Sequence, residues 1–211
     1  MSAFIIICML LSIISTLYFA IGSKSSQQKY IEYVEFPSAI KQTLHAKYSS
    51  LSDEQCELVL ANLREYFLIC HMAKGQPVAM PSKAVDLAWH AFILHTREYK
   101  TFCKKAFGRF LHHTPISSAS TNSQDVDASL QRAWQYSCQR HFIDYSTPEK
   151  LPFLFALDEM LAIENGYCYS LDDLPQAGKI NVLSLTNRVT SSQPPTVQTS
   201  PILSCGGYAS S

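Results

Sequence analysis

No C-x-x-C pair occurs among the seven cysteines of this 211-residue chain, so a zinc-ribbon or thioredoxin-like reading has no footing. Neither sign of charge prevails, with Lys+Arg and Asp+Glu at 17 each. There is no global field to draw in polyanions, and no nucleic-acid partner is expected. The motifs G-x-S-x-G, P-loop, G-x-G-x-x-G and H-E-x-x-H are all missing, which removes the enzyme classes they mark. No internal repeat is present. The one β-like run, residues 180 to 185, is short and isolated.

Charge is also absent from residues 3 to 22, AFIIICMLLSIISTLYFAIG. About 20 apolar residues is the length that spans a hydrocarbon core. No positive n-region precedes the run, and it exceeds the roughly 7–15 apolar residues of a secretory signal. Ala20-Ile21-Gly22 has the small-residue character of a cleavage site, so a signal peptide stands as the alternative to an uncleaved anchor. The anchor is the favoured reading. Lys24 and Lys29 follow the span and nothing positive precedes it. The positive-inside rule then gives a single-pass, N-out and C-in membrane protein with a cytoplasmic domain, at the inner membrane if the source is bacterial. Cysteines without a pairing pattern agree with a reducing compartment.

What is present favours a packed helical domain. The apolar share is 47%, with 11 Tyr and 11 Phe. The chain divides into a transmembrane anchor (1–22), a connector (23–35), a helical domain (36–175) and a low-complexity, disordered tail (176–211). The fold class expected is all-α, with about five helices behind the anchor.

The helices are read from periodicity and caps. The first starts near Pro37, with Phe36, Ile40, Leu44 and Tyr48 on one face. Ser52-x-x-Gln55 is a capping box opening the second, whose buried stripe is Cys56, Val59, Leu60, Leu63, Phe67 and Cys70. Gly75 and Pro77 stop it. Ser82 caps the third. Val85, Trp89, Phe92, Thr96, Tyr99, Cys103 and Ala106 continue it as one stripe up to Gly108. Residues 116 to 124 read as a loop. The fourth helix carries Val126, Leu130, Ala133, Trp134, Ser137 and Cys138. The fifth begins with Pro152 at N1, buries Phe153, Leu157, Met160 and Leu161, and closes at Asn165-Gly166.

Chemistry concentrates in residues 81 to 115, which hold His90, His95, His112 and His113, four of the seven histidines. Histidine clusters suit zinc and other borderline metals. At about 100° per residue, His90 lies about 140° from the centre of the buried stripe, beside Asp86 at i,i+4. His95 lies on the opposite flank, so His90 and His95 do not chelate one ion from this helix. A metal site needs His90, with or without Asp86, and one of His112 or His113 folded back over the helix. The alternative is a polar network in which Asp86 orients His90 and a loop histidine caps a helix end. Trp89, on the stripe, reads as a core anchor. Lys100, Lys104, Lys105 and Arg109 suit a helix C-terminus, or the sharper alternative of an anionic headgroup contact. A Cys103–His112 nucleophile pair conflicts with the burial that periodicity gives Cys103.

Pro81-Ser82, Val85-Asp86, Trp89-His90, Ile93-Leu94, Thr96, Tyr99, Phe102-Cys103, Gly108 and Phe110 to His113 resemble, in that order, the glycine-rich domain-containing protein-like family of plants and bacteria. The resemblance implies a helical domain and a membrane-anchored setting, and it implies no activity. Phe92 stands where family members often carry a second histidine, and the glycine-rich tail is reduced to Cys205-Gly206-Gly207.

Two functions are expected from the sequence. The first is a membrane-tethered interaction or scaffold module with an unknown protein partner, no catalytic residue and no cofactor. The second is a histidine-based metal protein or metal-dependent enzyme at the membrane, with zinc held by His90, His112 or His113, and Asp86.

Overall fold

The structure, a computed structural model, describes residues 7, 9–11, 26–113 and 123–171. Every regular element among the described residues is helical: α1 (26–32), α2 (Ala39–Lys47), α3 (Asp53–Met72), α4 (Lys83–Leu94), α5 (Thr96–Phe107), α6 (Ser123–Arg140) and α7 (Phe153–Met160). The all-α class holds. The span expected over residues 3–22 lies outside the described residues apart from 7 and 9–11. No helix among the described residues is long and apolar enough to cross a membrane. The loop read at 116–124 lies outside them but for its last two residues, and the β-like run and the tail expected to be disordered do so entirely.

Helix α3 is the spine. Ser52 Oγ accepts from the Gln55 amide at 3.2 Å and the Gln55 side chain accepts from the Ser52 amide at 2.8 Å. Both bonds of the capping box are made, satisfying donors the first turn would otherwise leave open. The whole expected stripe from Cys56 to Cys70 is buried. Each large apolar side chain removed from water there contributes about 1.5–3 kcal/mol. The helix ends where Lys74 and Gly75 turn to positive φ, 50° and 97°.

Around this spine pack α2, with Ile40 and Leu44 fully buried, and α4. Residues read as a connector also join the core. Ile31 and Val34 are buried, and the Val34 carbonyl accepts from Arg64 Nε at 2.9 Å. Phe67, Phe92 and Phe102 form the aromatic centre, with Phe67 and Phe102 ring centroids 4.7 Å apart. Phe92, in the place of the family histidine considered above, meets Phe36 edge-on at 5.1 Å.

The third expected helix is two. His95, at φ −80° and ψ 64°, ends α4 and precedes α5. The apolar spacing runs unbroken through this point, yet Thr96 is exposed and Leu94 is 80% exposed. The bend brings Trp89 and Tyr99 together inside one core, the indole N–H 3.1 Å from the phenol oxygen. Gly108 closes α5 in the left-handed conformation, φ 68°, where glycine carries no Cβ penalty.

A smaller apolar cluster joins α6 to α7: Leu130, Ala133, Trp134 and Cys138 against Phe155 and Tyr169. In α7, Leu157 and Leu161 are buried as expected, Phe153 packs against the main core partly buried, and Met160 is 57% exposed. Leu154 and Phe155 take its place inside. Pro152 is the N-cap, one residue before the position expected. The interior position of α7 that matters most is Asp158, 2% exposed. Its carboxylate accepts from the Ser82 hydroxyl at 2.6 Å and from the amides of Lys83, Ala84 and Tyr167 at 2.7, 3.3 and 2.9 Å. Asp158 and Ser82 thus close the N-terminus of α4 together, where negative charge is favoured by the helix dipole.

Candidate metal centre

Helix α4 turns one flank toward a cleft of about 750 Å³. Its Asp86 and His90 are i,i+4 neighbours, with Asp86 Oδ2 and His90 Nδ1 3.3 Å apart. The chain after α5 then returns. Tyr99, at the buried face of α5, donates its hydroxyl proton to the Leu111 carbonyl at 2.6 Å and accepts the Trp89 indole N–H at 3.1 Å. Burial pushes the Tyr99 phenol above its ordinary range, so it stays a donor. Phe110 adds an edge-on contact to Tyr99 at 5.3 Å. These contacts fix residues 110 and 111, and His113 comes down over α4. Its Nε2 lies 2.9 Å from Asp86 Oδ1, and its ring lies 4.5 Å from Trp89 and 4.2 Å from His90.

Asp86, His90 and His113 form the one such group of three among the described residues, each offering a ligand atom within 4.8 Å of the others. Zinc bonds of 2.0–2.2 Å to nitrogen and oxygen at tetrahedral angles place ligand atoms roughly 3.3 Å apart. The 2.9 Å from His113 to Asp86 Oδ1 and the 3.3 Å from His90 to Asp86 Oδ2 are near that value but end on different carboxylate oxygens. With one ligand atom from each residue, all three lie within 4.8 Å. An ion would take the place of the proton in the Asp86–His113 hydrogen bond. His113 is set into the wall, its side chain 13% exposed, while His90 stands at the rim with 48%.

The other histidines of the segment fall elsewhere. His112 is exposed and lies against Phe110, ring centroids 4.9 Å apart. Of the two loop histidines it is the one outside the group. His95 sits at the bend between α4 and α5. Trp89 is 4% exposed, a core residue as its periodicity indicates, and one face also walls His113. Cys103 is 1% exposed, and burial raises its thiol, which leaves no nucleophile to pair with exposed His112. Cys70, against the cleft, is pushed up to about 12 by burial and is a neutral thiol near pH 7. The thiols at Cys56, Cys70, Cys103 and Cys138 are all buried, as small hydrophobes are.

Three cationic residues of the wall were not singled out together by sequence: Lys83 at the start of α4, Arg109 after Gly108, and Arg132 on α6. Arg109 was visible as part of a basic cluster, but Lys100, Lys104 and Lys105 are exposed outside the cleft. Lys83 lies one turn before Asp86 on α4 itself, whereas nothing local marks Arg132, which reaches the site only through the packing of α6.

An N₂O ligand set with a cleft before it has a defined chemistry. Three protein ligands leave one position of a tetrahedral ion open to water or substrate, unlike the closed four-ligand structural sites.

The UCP032817-like family model matches residues 26–186, and the chain belongs to that family. This overturns the resemblance to the glycine-rich domain-containing protein-like family, which rested on the 81–115 segment alone. The family match embraces the whole described domain, including α1 and α6. No curated protein and no solved structure matches the chain.

Proposed function

We propose that the domain binds a divalent transition metal, zinc foremost, through Asp86, His90 and His113, with the remaining coordination position open to the cleft. The observation that carries this reading is the mutual separation of the three ligand atoms, within 4.8 Å. Neutral imidazoles and a carboxylate are ligands suited to zinc and its neighbours. The test is metal analysis of the purified full-length chain after dialysis against zinc, with chelator competition for affinity. One equivalent is expected for the native chain and for His112→Ala, with loss in His90→Ala and His113→Ala. A well-folded native chain that retains no zinc would sink the reading and leave the interaction-module function standing.

We propose further that residues 3–22 tether this domain to a membrane. The support is the charge-free run in the sequence, together with Ile7, Met9, Leu10 and Leu11, which are helical and more than half exposed. Protease accessibility in intact cells tests the N-out, C-in orientation. Digestion of the domain from outside would reverse it.

A further inference from the structure

We propose that the cleft beside Asp86, His90 and His113 takes a small organic oxyanion, a phosphate or carboxylate compound, with Lys83, Arg109 and Arg132 as its cationic wall. The inference deepens the metal reading and rests on it for placing the anion next to an ion.

The charge of the wall is lopsided in a chain that is neutral overall. Lys83, Arg109 and Arg132 line the cleft, and Asp86 is its one carboxylate. Asp86 is already engaged by two imidazoles. None of the three cations forms an ion pair among the described residues. Neutral groups hold them instead. Lys83 Nζ lies 5.2 Å from the centre of the Tyr167 ring, Arg132 donates to the Pro77 carbonyl, and the Arg109 guanidinium packs against Gly75. At Gly75 a Cβ would stand 3.2 Å from Arg109 Nη2, a tight contact to which the guanidinium would have to give by a few tenths of an ångström. Among the described Lys and Arg residues only Arg140, with Glu65, and Lys41, with Glu57, form ion pairs; what sets Lys83, Arg109 and Arg132 apart is that all three line one cleft.

A guanidinium spends one or two of its five N–H donors on a carbonyl and keeps the rest. Its planar fork matches an oxyanion in two-point contact. Apolar walls around such a cleft concentrate its field, and Trp89, Met80 and Tyr167 supply them here. The volume of about 750 Å³ falls within the roughly 300–1,000 Å³ of small-molecule sites. A metal at Asp86, His90 and His113 adds positive charge at the same place and offers its open position to one oxygen of the anion.

The experiment is titration calorimetry of the zinc-loaded full-length chain with inorganic phosphate, phenyl phosphate and benzoate as probes. Saturable binding is expected for at least one probe, and the ranking of phenyl phosphate against benzoate tells phosphate from carboxylate. Arg132→Gln, Arg109→Gln and Lys83→Gln should each weaken it about tenfold, the effect of one charge-assisted contact. Zinc stoichiometry should stay unchanged in all three. Lys104→Gln, which removes an exposed charge outside the cleft, should leave affinity as it is. No saturable binding of any probe, or binding insensitive to all three substitutions, overturns the proposal. If the chain takes up no zinc, the metal reading alone has failed. The same titration on the metal-free chain then decides: binding that depends on Arg132 upholds the anion site, and its absence overturns it.

Discussion

Trp89 and Tyr99 meet across the bend at His95, indole N–H to phenol oxygen at 3.1 Å. The phenol in turn donates a hydrogen bond to the Leu111 carbonyl. Tyr99 is thus a positioning residue for His113, two residues further on. Tyr99→Phe leaves the Trp89 donor and the Leu111 acceptor without partners inside the core. A loss of about 1–3 kcal/mol is expected in urea unfolding. Zinc affinity should fall as well, by about 10–100-fold, as for other lost supports of a ligand. Leu63→Ala is the control: fully buried Leu63 should cost about 2–5 kcal/mol with no change in the affinity of the folded chain. Equal zinc affinity in Tyr99→Phe and the native chain would show that His113 is positioned without it.

Asp158 gathers four donors at the start of α4. Asp158→Ala strands a buried hydroxyl and three amides, and more than about 3 kcal/mol of stability should be lost, read as a lower urea midpoint. Gly166→Ala should move in the same direction. A Cβ there would come within 2.8 Å of the Asp158 Cβ and 2.9 Å of the Ile163 carbonyl.

Zinc should stabilise the folded chain by mass action. At a free concentration of about 100 times Kd the gain is about 2.7 kcal/mol, a rise in Tm of about 5–10 °C. His112→Ala should keep this rise and His113→Ala should abolish it. Scanning calorimetry with and without zinc, at fixed protein concentration, makes the comparison.

The buried thiols predict a response to alkali. Burial raises Cys70 and Cys138 from 9.0 to about 12. The folded state therefore holds these protons more tightly than the unfolded chain. Their contribution to stability is complete below pH 9 and is lost as pH rises from about 9 through 12. Urea midpoints should fall over that interval. In Cys70→Ala/Cys138→Ala the fall should be shallower, whatever the substitutions cost at neutral pH. At pH 8, alkylation should reach the exposed Cys168 well before Cys70 or Cys138.

Much of the fold was legible in residues that act on their near neighbours. Ser52 and Gln55 cap each other, Ser82 caps α4, and the stripe from Cys56 to Cys70 buries as its spacing indicates. The neighbourhood of Asp86 and His90 followed from helical geometry alone. The bend at His95 was hidden because the apolar spacing continues through Thr96, and spacing cannot tell a straight helix from two helices serving one core. The choice of His113 over His112 was hidden too. It depends on a hydrogen bond from Tyr99 to a backbone carbonyl, which no side-chain pattern records. Asp158 has no mark in its local pattern because its partners lie 74 to 76 residues away at the start of α4 and nine residues on at Tyr167.

The bend at His95 has a topological consequence. It folds the chain so that Asp86 and His113, 27 residues apart, stand face to face with all of α5 between them. An ion gripped by both would be a cross-link, closing a ring that contains α5. Like any clip on a flexible chain, it would act chiefly by reducing the freedom of the unfolded state. Removing the ion would then loosen the helix the ring encloses along with the cleft it serves.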